Sequence, residues 1–226
     1  MNLSNMLIVL GEYLDDPNSS RHDASAKTRF LNGGQGDVKR HIEEANELFF
    51  QKETTVSVTG GSDDSVHDLP TDFGKLVSVE NTTNSIPLQS SQTLFQDRHN
   101  YMAVDKRLLP KGTTATGGYY LKHAFGSTPA DGGKFQIGFT SPDSTYTASL
   151  LYTANLADLA TGTDVSAIPT DYHDLVCLFA SMRGYAVEQL KFPDPLEVLR
   201  QEQLIQLRNY VETFGRQGPM YVNVQD

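Results

Sequence analysis

The spacing of apolar residues changes twice along this chain, and that constrains the fold more than any single motif. It is helical up to about Phe49, alternates with period two from Glu53, and is helical again after Ile168. Leu3, Met6, Leu7, Leu10 and Leu14 form one stripe of a first helix, which Asp15-Asp16-Pro17-Asn18 ends because Pro17 cannot extend the ladder. Asp23 is read as the N-cap of a short second helix that stops at Asn32-Gly33. Gly33-Gly34-Gln35-Gly36 then reads as a connecting turn, and Asp37 as the cap of a third helix carrying Val38, Ile42, Ala45, Leu48 and Phe49.

In the middle of the chain Thr54, Val56 and Val58 run to a turn at Gly60-Gly61-Ser62-Asp63-Asp64, from which Val66 begins a return strand, as in a hairpin. Leu69-Pro70-Thr71-Asp72-Phe73 opens a strand through Leu76, Val77 and Val79. A turn at residues 81–84 and the extended Ile86-Pro87-Leu88 follow, with one turn of helix at residues 89–96. Further strands are expected at residues 119–125, 134–139 and 146–152.

The last quarter has a proline stop at Ile168-Pro169 with Thr170 as N-cap. A stripe of Tyr172, Leu175, Val176, Phe179, Ala186, Val187 and Leu190 follows, interrupted by Arg183. Asp194-Pro195-Leu196-Glu197 supplies a cap, a proline at N1 and a glutamate able to reach back. Leu204, Leu207, Val211 and Phe214 are the stripe of that final helix, which Gly215 ends. The expected fold class is α+β: a small helical bundle from residues 1–52 and 166–215, an inserted antiparallel β region at 53–165, and an extended C-terminal arm at 216–226.

At 226 residues the chain can bury a sizeable core. Lys and Arg total 18 against 28 Asp and Glu, a net charge of −10, which argues against a protein built to grip DNA phosphates. It leaves open a surface past which DNA slides without sticking. A single cysteine, Cys177, excludes an intrachain disulfide and a cysteine-based metal site. The first residues carry no Lys or Arg, residues 6–10 are short for a signal-peptide core, and the longest apolar run, 175–180, falls far below the ~20 residues of a membrane span. The expectation is a product that stays in the reducing compartment where it is made, with no membrane partner.

Catalytic chemistry has few supports. His173 and Cys177 stand four apart on one helix, the spacing of an imidazole-activated thiolate or of a buried cysteine beside a helix-start histidine; the second reading is preferred. The glycine run at 33–36 precedes a helix, as a phosphate cradle would, but it follows a helix, lacks a Lys-Ser/Thr pair and has Asp37 where an anion would sit. Asp15-Asp16 and Asp63-Asp64 lack the alternating ligands of a calcium loop and read as turn and cap residues. The six histidines are scattered (His22, His41, His67, His99, His123 and His173), which is uninformative about metal, and no metal or cofactor site is assigned. Lys106-Arg107 with Lys111 and Tyr101 is the densest basic cluster and reads as a solvated loop.

Leu69-Pro70-Thr71-Asp72-Phe73 with Lys75-Leu76-Val77-Ser78-Val79, then Ile168-Pro169-Thr170-Asp171-Tyr172-His173-Asp174-Leu175 about a hundred residues on, resembles the pattern of tailed-bacteriophage head-to-tail adaptor proteins, also called head completion or tail tubular connector proteins. The helix–strand–helix order, the paired C-terminal helices and the loose tail fit that resemblance. It implies a virion structural protein and not an enzyme. It further implies a homo-oligomeric ring, expected to be twelve-fold, below the portal protein, with a tail nozzle or tail tube protein on its other side. DNA would pass through the lumen without specific binding. The resemblance also implies that the C-terminal arm inserts into or wraps the portal, through Pro219, Met220, Tyr221, Val222 and Val224. Alternating Met220, Val222 and Val224 suit strand addition to a partner's edge. Two other readings stand beside it: another tail component, such as a terminator or tube protein, and a small intracellular enzyme or ligand-binding domain resting on His173 and Cys177.

Overall fold

A computed structural model describes residues 1–60, 64–82, 86–88, 119–124, 134–140 and 144–216. The chain divides into two compact units, Met1–Phe50 with Leu156–Asp226, and Gln51–Asn155. The architecture is α+β, with helices contributed by both ends of the chain and antiparallel strands between them in sequence.

The helical unit contains α1 (Leu3–Tyr13), α2 (Ala24–Ala45), α3 (His173–Val187) and α4 (Asp194–Arg216). The stripe foreseen on α1 is the buried one: Leu3, Met6, Leu10 and Leu14 join Leu31, Val38, Ile42, Leu175, Val176, Leu178, Leu207 and Val211 in one core. Asn2 caps α1 by accepting from the Asn5 N–H, and Asp23 caps α2 by accepting from the Ala26 N–H. After α1 the chain turns through Asp15 at φ 51°, a left-handed conformation that ends the helix before Pro17.

Several expectations for this unit are corrected. No break occurs at the glycine run: α2 is one helix from Ala24 to Ala45, and Asp37 lies inside it. The glycines serve packing instead. A Cβ on Gly34 would stand 2.5 Å from the Val176 carbonyl oxygen and 2.9 Å from the Ala180 nitrogen, so α2 and α3 touch backbone to backbone there. Leu48 and Phe49 therefore lie beyond the helix, and Leu48 is exposed. Thr170 makes no side-chain cap; a 3₁₀ turn, Thr170–Tyr172, leads into α3 and tightens its first turn without one. Finally, α3 is buried on nearly every side along its middle, from Leu175 to Ser181, whereas Val187 at its end and Leu190 beyond it are exposed. A helix at the centre of a bundle carries no single stripe, so extending one misplaces its last members.

Helix α4 begins at Asp194, one residue before the start that Asp194 as N-cap and Pro195 at N1 would give, and runs to Arg216, one residue past Gly215. Glu197 does not reach back; its carboxylate accepts from Arg200 and Gln201 ahead of it.

The other unit holds β1 (Gln51–Val58), β2 (Asp64–Asp68), β3 (Phe73–Asn81), β4 (Ile86–Pro87), β5 (Tyr119–Ala124), β6 (Lys134–Thr140) and β7 (Tyr146–Ala154). They form a four-stranded sheet in the order β1-β7-β3-β4 and a three-stranded sheet in the order β2-β6-β5. The expected β1–β2 hairpin is corrected: β1 pairs with β7, Gln51 opposite Thr153 through Val58 opposite Tyr146, and β2 pairs with β6. β7 explains this. Its Tyr146, Ala148, Leu150 and Tyr152 are buried, and a strand central to a sheet needs neighbours on both edges, here β1 and β3. The Gly60 N–H donating to Thr145 Oγ1 at 3.0 Å ties the end of β1 beside the start of β7. Val58, Phe73, Val79 and the buried side of β7 share a core with Ile137 and Phe139 of β6.

Candidate functional site

His173 and Cys177 are both fully buried. His173 Nε2 donates to the Ile168 carbonyl at 2.8 Å, and Nδ1 accepts from the Met1 amino group, so both ring nitrogens are engaged away from the thiol. Cys177 Sγ donates weakly to the Met6 carbonyl at 3.7 Å. Burial, with the nearby Asp174 charge, pushes the Cys177 thiol up to about 12. A nucleophilic cysteine needs the opposite shift and an approach path. This pair belongs to the core.

The Asp15-Asp16 pair proves to be half structural clasp. Burial on its own would raise the Asp16 carboxyl. The N–H groups of His22, Arg21 and Ser20, together with Ser20 Oγ, all donate to it and hold it well below the usual carboxylate range. Lys27 of α2, 2 % exposed, sits 3.3 Å from Asp16 Oδ2 and donates to Ser19 Oγ and the Asp16 carbonyl. The α1–α2 connection is thus pinned to the second helix by a fully partnered buried charge pair. Asp64 lies in β2, and Asp63 lies outside the described residues. Among the described residues no group of three or more His, Cys, Asp or Glu could hold a metal.

The arm residues Pro219, Met220, Tyr221, Val222 and Val224 lie outside the described residues, as do Tyr101, Lys106, Arg107 and Lys111. The described part offers helix faces instead, and sequence reasoning missed them. Leu207 and Val211 of α4 are buried, and Leu204 packs half-buried against them. On the opposite side Val198 is 56 % and Ile205 60 % exposed, with exposed Glu202 between them. Their spacing of four and three places all three on one row. On α2, Arg29, Gly36 and Arg40 are exposed on one side, and Arg183 of α3 lies beside Gly33. Asp37 accepts from Arg183 Nε at 3.1 Å and from Arg40, so one carboxylate serves two guanidinium groups. The signal for the α4 row is the heptad interval between Val198 and Ile205, set off the inward stripe.

No helix among the described residues is long and apolar enough to cross a membrane. No curated protein matches the chain. A family model described as SU10 adaptor protein matches residues 1–217, taking in both motifs on which the resemblance was read and all four helices. Such a match over nearly the whole length leaves a plain conclusion: the chain belongs to the SU10 adaptor protein family, the head-to-tail adaptors of phages.

Proposed function

We propose that copies of this chain form a ring beneath the phage portal, extend the DNA channel and present the surface on which the tail nozzle or tail tube docks. The observation that carries this reading is the adaptor-family match over residues 1–217. The adaptor family is structural and is not a known enzyme family, and the chemistry of Cys177, buried with its thiol pushed up to about 12, agrees with a passive part. A net charge of −10 per copy, repeated around a ring, disfavours sticking of the DNA backbone as it passes.

In this reading the C-terminal arm, residues 216–226, makes the portal contact through Pro219, Met220, Tyr221, Val222 and Val224. So short a polar stretch cannot bury enough of itself to fold alone. Its alternating apolar residues suit addition to the edge of a partner's sheet, where main-chain hydrogen bonds give affinity and every second side chain gives specificity.

The test is deletion of residues 218–226, read by electron microscopy and by binding to the portal protein of the same particle. The truncated chain should unfold as the full-length one does and lose portal docking. Docking undiminished by the deletion would show the arm assignment wrong. A full-length chain that neither forms rings nor binds the portal would sink the larger reading.

A further inference from the structure

Helix α4 uses one side to fill the core and leaves Val198, Glu202 and Ile205 in a row facing outward. Two β-branched residues seven apart make the spacing of a helix–helix seam. Glu202 is the one charge in that row, and it has no cationic partner among the described residues. Helix α2 presents the complementary surface. Between Arg29 and Arg40, about 16 Å apart along the axis at 1.5 Å per residue, the outer side carries Gly33, which the Arg183 side chain covers, and the open Gly36. A Cβ on Gly36 would meet nothing within 4 Å, so the helix is notched there between guanidinium groups. The single carboxylate in that stretch, Asp37, is already shared by Arg40 and Arg183, while Arg29 has no anionic partner among the described residues. The row on α4 from Val198 to Ile205 spans about 10 Å, short enough to lie in the notch between the two arginines.

We infer that the α4 row of one copy packs along this side of α2 of the next, with Ile205 seated over Gly36 and Glu202, one turn along, meeting Arg29. This rests on the ring reading above and names its contact. The charges decide the occupant. An acidic, apolar ridge and a basic, notched groove on two different helices of one chain match each other and do not match themselves. Such a contact is head-to-tail: it leaves one face of each kind open until a ring closes, whereas a two-fold dimer would need a self-complementary patch. An arginine–carboxylate pair within such a seam adds geometric specificity, fixing its register.

The experiment measures the assembled fraction by mass photometry, alone and with the portal protein, for wild type, Glu202→Arg, Arg29→Glu, the double variant Arg29→Glu/Glu202→Arg, and Gly36→Leu. All these positions are exposed, so the monomers should keep their circular dichroism and unfolding transitions. Each charge reversal should lower the assembled fraction at least tenfold, and the double variant should recover most of it. Gly36→Leu should block assembly while leaving the monomer folded, a result that simple loss of charge cannot mimic. Three outcomes overturn the contact while leaving the ring reading intact: charge reversals that assemble like wild type, a double variant that fails to recover, or single variants that keep the ring but lose the portal. A wild-type chain that forms no ring with or without the portal removes the ring reading, and this contact with it.

Discussion

Gly34 and Gly36 are two residues apart on the same helix, and alanine at each should move stability in opposite directions. In a helix interior Gly→Ala gains about 0.8–1 kcal/mol, because glycine loses more backbone freedom on folding. Gly36 faces open space, so Gly36→Ala should realise that gain in full, raising the unfolding free energy by about 1 kcal/mol. At Gly34 the same gain meets an obstacle. The new methyl would lie 2.5 Å from the Val176 oxygen and 2.9 Å from the Ala180 nitrogen, both backbone atoms of α3 that no rotamer change can move. Reaching ordinary contact requires α2 and α3 to part by most of an ångström, and overpacking against two backbone atoms lies at the upper end of its usual range, about 2–3 kcal/mol. The net for Gly34→Ala is a loss of about 1–2 kcal/mol, and the gap between the two variants about 2–3 kcal/mol. Urea unfolding followed by far-UV circular dichroism at low protein concentration resolves this, with the slope m unchanged as the check that only stability moved. A destabilised Gly36→Ala would mean that the backbone there needs glycine for a turn, returning the helix break that the sequence suggested. A neutral or stabilised Gly34→Ala would mean that α2 and α3 are not in backbone contact.

Cys177 should react with a thiol reagent at neutral pH only as fast as the protein opens, because it is fully buried and its thiol is pushed up to about 12; rapid labelling of the native chain would revive the catalytic reading. Leu10→Ala and Leu178→Ala should each cost about 2–5 kcal/mol in denaturant unfolding, while Ile8→Ala on the exposed side of α1 should stay within about 0.5 kcal/mol; equal effects would contradict the assignment of the core. The helical unit should lose stability in acid. Asp16 is held low by its four donors against the effect of burial, Asp164 by Thr161 and the Ala160 N–H, and Glu197 by Arg200 and Gln201. A carboxylate whose folded value is depressed stabilises above its unfolded value, near ~4, and that stabilisation is lost as pH falls through the folded value. The urea midpoint should therefore drop below about pH 4, and a midpoint unchanged into stronger acid would show these partners absent.

What was legible in the sequence was what short-range physics determines. Leu3, Met6, Leu10 and Leu14 lie on a helix with one wet side, so their period gave α1 with its buried face. Asp194-Pro195 marks a helix start by its own stereochemistry, and α4 begins there. The misreadings share a cause: each depends on a neighbour distant in sequence. Gly34 reads as part of a turn until α3, some hundred and forty residues on, comes within 2.5 Å of its missing Cβ. β1 looks like half of a hairpin until β7, nearly ninety residues away, takes its ladder. The alternation of Thr54, Val56 and Val58 specifies a face but not a partner.

The same logic explains why the outer row of α4 was invisible. A search for amphipathic stripes collects Leu204, Leu207 and Val211 and passes over Val198 and Ile205, which sit off the stripe on a helix already accounted for. Only after the core is assigned do they stand out as apolar residues with nothing left to cover. Exposed apolar residues occurring singly are ordinary, and Ile8 and Val165 are of that kind, each without an apolar companion at seam spacing and a complementary charged notch on the same chain. Val198 and Ile205 differ because Glu202 stands between them and the Arg29–Arg40 side of α2 answers both features. In a chain of an adaptor family, contacts to other copies fall to residues left over by the fold, and their pattern can be read only by subtraction.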